Sequence, residues 1–254
     1  MLAYRLLRVV LHLFAGLFTC VLVFPWLDVR GREACIRRWS ARLLSICGVK
    51  IHVVGAAGAP HALVVANHVS WLDIFVINSL HPCRFVAKSE IRSWPLIGRL
   101  CAMTGTIFIA RGRVREVRRI YEGLVHALQA GERVAFFPEG TTAVQGNLLP
   151  FHANLFEAAI EARVPVQPYV LRYVDAQGCF HPAAEFVGDT TFAQSMLSIL
   201  RARNMTAQLQ ALPSIEANAS SHRRELAAAA QNSIAEALAV KSHPASDIAD
   251  KRPG

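Results

Sequence analysis

Charge is scarce in this chain. Asp, Glu, Lys and Arg together make up 18% of its 254 residues, while 53% are hydrophobic. An ordinary soluble domain carries about 25% charged residues, and a disordered chain more still, so disorder is excluded for most of the length. Paired cysteine motifs are lacking as well. Cys20, Cys35, Cys47, Cys83, Cys101 and Cys179 form neither a C-x-x-C pair nor a cysteine–histidine zinc spacing. The length buries a full core without disulfide staples. The six therefore read as small core residues of a protein from a reducing compartment. Long apolar runs are missing except for one, which excludes a polytopic transporter. Three catalytic signatures are also absent: G-x-S-x-G, the phosphate loop G-x-x-x-x-G-K-[ST], and H-E-x-x-H. Serine hydrolases, P-loop nucleotidases and zincins are disfavoured accordingly.

Acidic residues are the scarcest charges. The balance is 27 Lys+Arg against 18 Asp+Glu, a net +9 with histidines neutral. Such an excess attracts phosphate, whether on nucleic acid, anionic lipid or a phosphorylated cofactor, and it also serves solubility alone. A nucleic-acid binder would cluster Lys and Arg with aromatic platforms. Here arginine gathers around the apolar N-terminus and the segment 114–129, which suits anionic lipid better.

The one long apolar run is Val9–Trp26, eighteen residues whose single ionisable group is His12. As a helix it would measure about 27 Å, near the roughly 30 Å hydrocarbon core of a bilayer. Arg5 and Arg8 resemble the basic start of a signal peptide, but Phe24-Pro25-Trp26 is a poor small-residue cleavage site. On a helical wheel Arg5, Arg8, His12 and Thr19 share one narrow arc. A thin polar stripe on an otherwise apolar helix fits a helix lying in the membrane interface, or dipping in and returning. Arginine flanks both ends, so the positive-inside rule hints that both stay cytoplasmic. Next, Arg32–Cys47 places Ile36, Trp39, Leu43 and Ile46 at helical spacing, with Arg37, Arg38 and Arg42 opposite and Gly48 as terminator. This is a membrane-surface helix or a core helix with a solvated arginine face.

From Val49 the pattern changes. Strands are expected at Ile51–Val54, Ala62–Ala66, Phe85–Lys88, Thr106–Ala110 and Val134–Phe137. Helices are expected at Leu72–Leu80, Val114–Gln129 (Arg115, Arg118 and Arg119 outward) and Leu155–Ala162. Val164–Val174 reads as an extended run broken by two prolines. Beyond Asp189 the pattern reads as helical, at Phe192–Leu200 and His222–Val240. Strands interleaved with helices predict an α/β fold, a mostly parallel or mixed sheet flanked by helices, with ligands at the carboxyl ends of the strands. The expected organisation is 1–48 as membrane-associating helices, 49–241 as the globular domain and 242–254 as a polar tail.

Four blocks carry chemistry. Asn67-His68-Val69-Ser70-Trp71-Leu72-Asp73 follows a strand. Were all five steps helical, His68 and Asp73 would diverge by about 140°. With a strand–loop–helix turn, Asp73 can reach one imidazole nitrogen, fix the tautomer and leave the other as a general base. A histidine capped by a nearby aspartate is also a common structural device. Gly105-Thr106-Ile107-Phe108-Ile109-Ala110-Arg111 delivers a guanidinium at a strand end, suited to a phosphate or simply exposed. Phe136-Phe137-Pro138-Glu139-Gly140-Thr141-Thr142 is a strand entering a tight turn, where glycine admits a ligand close to the backbone. Val164-Pro165-Val166-Gln167-Pro168 is stiff and apolar, a wall for an acyl chain or part of the core. A His–Asp pair without a nucleophile fits direct transfer from an activated donor such as a thioester.

In this order the four blocks resemble the glycerolipid acyltransferase family, of the 1-acylglycerol-3-phosphate acyltransferase type, over about Val49 to Val174. As a set they are highly specific. The resemblance implies an O-acyltransferase that takes a fatty acyl group from acyl-CoA or acyl-acyl carrier protein, with no cofactor and no metal. It implies His68 as base with Asp73 orienting it, and Arg111 on the acceptor phosphate. Glu139, Gly140 and Thr141 would shape the acceptor site, with Lys88 as a further anion contact. It places the protein on the cytoplasmic face of the membrane, with a lysolipid acceptor and an anionic membrane surface as partners and no nucleic acid. One departure stands out. The family continues F-P-E-G-T with Arg, and here the residue is Thr142, which removes a charge-assisted interaction of about 1.5–3 kcal/mol. His152 and Asn154 stand where many members have Lys and Gly. Both changes resemble the branch that acylates lyso-ornithine lipid, a zwitterion. Lysophosphatidic acid is the expected acceptor and lyso-ornithine lipid the alternative. A non-catalytic lipid-binding protein is the alternative of another class.

Overall fold

The computed structural model describes residues 2–55, 58–109 and 114–239, apart from the side chains of 114–120. The chain opens with helix α1 (Leu2–Phe18), prolonged by a π-helical turn (Thr19–Val23) and a 3₁₀ turn (Phe24–Trp26). Helix α2 (Val29–Cys47) starts on an Asp28 cap that accepts the Gly31 N–H at 2.8 Å. It ends, as its sequence predicts, where Gly48 takes the left-handed conformation at φ 78°. Then follow β1 (Val49–Val54), β2 (Leu63–Ala66), α3 (Asp73–Leu80), β3 (Arg84–Lys88), α4 (Ile97–Met103), β4 (Ile107–Ile109), α5 (Val114–Gln129) and β5 (Val134–Phe136). The last elements are α6 (Glu157–Ala162), β6 (Val166–Val174), α7 (Phe192–Arg201), β7 (Met205–Ala211) and α8 (Arg223–Ala239).

The strands form one mixed sheet in the order β1-β7-β6-β2-β5-β3-β4. All neighbours run parallel except β6 and β7. Strands β2, β5 and β6 are buried along their whole length, as expected for strands covered by helices on both faces. Their side chains alternate between two cores. Val64, Ala66, Tyr169, Leu171 and Tyr173 join Leu43, Leu44, Val76 and Ile199 on one face. Leu63, Val65, Val134 and Phe136 join Leu124, Leu128, Phe156 and Ala230 on the other. The N-terminal helices share the first core, through Val9, Leu43 and Ile46.

Several expectations need correction. The segment beyond Asp189 is not all helical: Met205–Ala211 is strand β7, wedged between β1 and β6, with Met205, Ala207 and Leu209 buried in alternation. The extended run through Val174 is not broken. Pro165 precedes β6 and Pro168 lies inside it, opposite Val65. Strand β4 is a half-buried edge strand, shorter than the Thr106–Ala110 expected. Helix α4 was not foreseen. Cys20, Cys47 and Cys83 are core residues as expected, but Cys179 is exposed; all six thiols are free.

In α1 two residues of the polar stripe, Arg5 and His12, turn inward onto the protein. Arg5 donates to the carbonyls of Leu200 (2.9 Å) and Ala202 (3.2 Å) at the end of α7. His12 stacks on Trp39 of α2, with ring centroids 4.6 Å apart. The two exchange hydrogen bonds: His12 Nε2 with the Trp39 carbonyl at 2.9 Å, and Trp39 Nε1 donating to the His12 carbonyl at 3.0 Å. Gly16 makes the crossing possible, because a Cβ there would lie 2.5 Å from Trp39 Nε1. The face turned away from the protein carries Leu7, Leu11, Phe14, Phe18 and Leu22, all exposed, with Trp26 at its end. The helical run Leu2–Trp26, with mean hydropathy 2.3, is the one described helix long and apolar enough to cross a membrane.

Candidate active site

Because β2, β3, β4 and β5 are parallel, their carboxyl ends share one edge of the sheet, and the polar blocks emerge there. The first is built by Asn67. As β2 ends, the Asn67 amide takes over the ladder to β6, donating to the Leu171 carbonyl at 2.9 Å and accepting its N–H at 2.8 Å. The main chain is then free to turn away at His68 without orphaning buried backbone groups. Asp73 opens α3 and is fully buried. Its Oδ2 accepts the N–H groups of Val69 (2.7 Å) and Ser70 (2.9 Å) and meets His68 Nδ1 at 2.8 Å. Its Oδ1 accepts the Tyr173 hydroxyl at 2.6 Å. A carboxylate oxygen that accepts from Nδ1 selects, in the neutral imidazole, the tautomer with the proton on Nδ1 and the lone pair on Nε2. The strand–loop–helix turn anticipated from the five-residue spacing is what closes this ring.

The His68 imidazole stacks on Phe137, with centroids 3.8 Å apart and planes within 6°. The His68 main chain is clamped too. Its N–H donates to Glu139 Oε1 at 2.8 Å, and its carbonyl accepts the Ala143 N–H at 2.8 Å. The other Glu139 oxygen accepts the Leu149 N–H at 2.8 Å. Glu139 thus braces two loops from within, and burial pushes its carboxyl above the usual range against the pull of those hydrogen bonds. The turn closes at Gly140, whose N–H donates to the Phe137 carbonyl at 3.0 Å at φ 71°, a conformation natural to glycine. His152 packs over it; a Cβ on Gly140 would lie 3.4 Å from that ring. Thr141 is exposed at the rim. The Thr142 hydroxyl donates to the Phe186 carbonyl.

Lys88 is the last residue of β3, exposed, in register with Ile109 of β4. Arg111, expected just beyond β4, lies outside the described residues, as do Arg113 and 242–254. The side chains of Arg115, Arg118 and Arg119 on α5 are likewise not described. His68, Asp73, Glu139 and Gly140 are brought together, with Thr141 beside them. Sequence reasoning assigned no role to Asn67 or Tyr173 and took Glu139 for a substrate contact rather than a brace. Tyr173 carries one signal in hindsight: with Tyr169 it is an aromatic hydroxyl at an inward position of a buried strand. Among the described residues no three His, Cys, Asp or Glu form a group able to hold a metal ion. Chemically, the edge presents one imidazole nitrogen that could act as a base, its partner nitrogen held by a carboxylate that accepts four donors.

A family model described as Acyltransferase matches residues 50–172. The lyso-ornithine lipid O-acyltransferase of Pseudomonas aeruginosa is 37% identical over 215 residues, covering 84% of this chain and 82% of that protein. The 1-acyl-sn-glycerol-3-phosphate acyltransferase of Neisseria gonorrhoeae is 47% identical over 116 residues, 46% of each chain. In structure, the chain resembles the crystal structure of the 1-acyl-sn-glycerophosphate (LPA) acyltransferase PlsC from Thermotoga maritima. The TM-score is 0.64 at 20% identity, over 94% of this chain and 96% of that one, a likeness of fold.

Proposed function

Since the chain belongs to the acyltransferase family, we propose that it moves a fatty acyl group from a thioester, acyl-CoA or acyl-acyl carrier protein, to the free hydroxyl of a lysolipid. The first reading of the acceptor is 1-acyl-sn-glycerol-3-phosphate, giving phosphatidic acid. The observation that carries the reading is the Nδ1-bound His68, whose Nε2 is left as a base by Asp73. Nε2 takes the hydroxyl proton as the oxygen attacks the thioester carbonyl. The carbon–sulfur bond breaks with its electron pair on sulfur, and the thiolate recovers the proton from Nε2. A thiol of pKa about 8.5 leaves readily, so no covalent enzyme intermediate is needed. Asp73 stabilises the imidazolium in between. Arg111 and Lys88 receive the acceptor phosphate, and Gly140 and Thr141 line its approach. Glu139 holds His68 in place by its main chain.

The apolar face of α1 supports a seat in the cytoplasmic surface of the membrane, where the lysolipid resides. The exposed Arg30, Arg37, Arg38 and Arg42 of α2 suit anionic lipid there. A second acceptor, lyso-ornithine lipid, is favoured by Thr142. Its hydroxyl is engaged with Phe186, so this position offers the headgroup no positive charge. Purified full-length protein and His68→Ala are to be compared with both donors and both acceptors. Product from lysophosphatidic acid, lost in the variant, supports the first reading. Product from lyso-ornithine lipid alone supports the second. Wild-type turnover by His68→Ala would overturn the base, and no product from any pair would favour a lipid-binding role.

A further inference from the structure

The Asp73 carboxylate divides its partners unequally. Oδ2 holds three donors from its own loop, whereas Oδ1 receives one, the Tyr173 hydroxyl, 2.6 Å away and 100 residues on in sequence. Neither Asp73 nor Tyr173 is exposed at all. Without that hydroxyl, Oδ1 would be a charged oxygen shut away from water with no donor among the described residues, a costly state. Tyr173 cannot readily drift. Its N–H donates to Gln145 Oε1 at 2.7 Å, its carbonyl accepts the His181 N–H at 2.8 Å, and β7 pairs with it at Ala207. Gln145 is itself buried and tied to the His181 carbonyl at 3.2 Å.

We propose that Tyr173 is a positioning residue of the His68–Asp73 pair: its hydroxyl fixes the plane of the Asp73 carboxylate and sets how strongly that carboxylate holds the His68 proton. The inference rests on His68 acting as base. Burial and the neighbouring carboxylate push the Tyr173 phenol well above its ordinary range, so it remains the donor throughout turnover. Among the described residues, the titratable groups facing the pair are Tyr173 from β6 and Glu139 from the loop after β5. Glu139 is untouched by changes at Tyr173, so a comparison between Tyr173 variants isolates the phenol. Removing a donor from Oδ1 concentrates negative charge on the carboxylate, which then favours the imidazolium over the neutral base. A stronger donor at Oδ1 does the opposite.

The test uses the full chain in detergent with its best donor–acceptor pair, recording kcat, KM and the pH profile of kcat/KM. Tyr173→Phe keeps the ring in its cavity and deletes only the hydroxyl. Its kcat is expected to fall about tenfold, the size of one hydrogen bond to a charged group, with both KM values unchanged. The acid-side inflection of kcat/KM should move up by about half to one unit. Replacing Tyr173 by 3-fluorotyrosine strengthens the donor, and the same inflection should move down. Opposite displacements are not produced by loss of packing. An unchanged inflection in both variants overturns the proposal, as does a rate loss that merely tracks a lowered Tm. Wild-type activity in His68→Ala overturns the base reading itself, and the inference with it. A dead His68→Ala beside an unaltered Tyr173→Phe sinks Tyr173 alone.

Discussion

The edge that holds His68 and the helix that opens the chain treat polar groups in contrasting ways. At the edge a short motif satisfies itself: His68 and Asp73 are five residues apart, and Val69 and Ser70 complete the ring between them. In α1 two polar residues find partners far along the chain, Arg5 at 195 and 197 residues' distance and His12 at 27. The first arrangement is a local device that a rigid sheet edge holds ready. The second is a clasp that turns a helix inside out, Arg5 and His12 inward and the apolar face outward. Amphipathic periodicity gives a stripe's width but not its direction. Direction depends on which surface offers partners, here the carbonyls ending α7 and the Trp39 indole.

The largest effect that would sharpen this contrast is expected at Asp73. In Asp73→Asn the amide oxygen can still face the three loop donors, while the Tyr173 hydroxyl turns to accept from the new NH₂. The ring should therefore survive, with Tm little changed. The negative charge that stabilises the imidazolium is gone, and kcat should drop about 10²–10⁴-fold. A rate within threefold of wild type would show that the pair is only structural. At α1 the comparable change is Leu11→Glu with Phe18→Glu, both on the outward face. Each apolar side chain contributes about 1.5–3 kcal/mol when buried in lipid. Co-sedimentation with anionic vesicles should fall at least about a hundredfold, while turnover of detergent-dispersed substrate persists. Equal vesicle binding by the variant would mean that this face meets something other than lipid.

The same contrast explains what could be seen in the sequence. His68 and Asp73, Gly48 as a helix stop, and the strands β2 and β5 were legible because the signal lies within a few residues. Strand β7 was not. Met205–Ala211 has no β-branched residue except Thr206, and its two glutamines and two alanines look helical out of context. It becomes a strand because the gap between β1 and β6 needs one. Tyr173 and Asn67 were invisible as site residues for a related reason: their partners are about a hundred residues away. Pro168 misled in the other direction. Proline normally marks the end of a strand, yet here the neighbouring Gln167 and Leu212 groups take up the hydrogen bonding, with Leu212 donating to the Pro168 carbonyl at 3.0 Å.

A third effect, on stability, separates local from distant support. Asn67→Ala removes both side-chain hydrogen bonds to Leu171 and leaves that buried N–H and carbonyl unpaired. The expected loss is about 2–4 kcal/mol, measured by urea unfolding. Activity per folded molecule should fall as well, because the exit of His68 from β2 loses its guide. If stability fell and turnover did not, the edge would be stiff enough without Asn67, and Glu139 would be the principal brace.

The smallest effect tests the clasp. Gly16→Val forces methyl groups into the space held by the Trp39 indole. Overpacking of this kind destabilises by about 1–3 kcal/mol, and the structure offers a reporter of where the strain is released. Cys47 ends α2 beneath Arg5. Burial pushes its thiol up to about 12, with the Arg5 guanidinium pulling the other way. At pH 8 Cys47 should resist iodoacetamide in the native protein, whereas exposed Cys179 reacts in every variant and serves as the control. If Gly16→Val lifts α1 off its seat, Arg5 leaves with it, water reaches Cys47, and alkylation there accelerates relative to Cys179. Labelling of Cys47 that stays slow while Tm falls would locate the strain inside the Trp39 seam. The Arg5 contacts with Leu200 and Ala202 would then suffice to hold the helix, and the two ends of α1 would be separate anchors rather than one clasp.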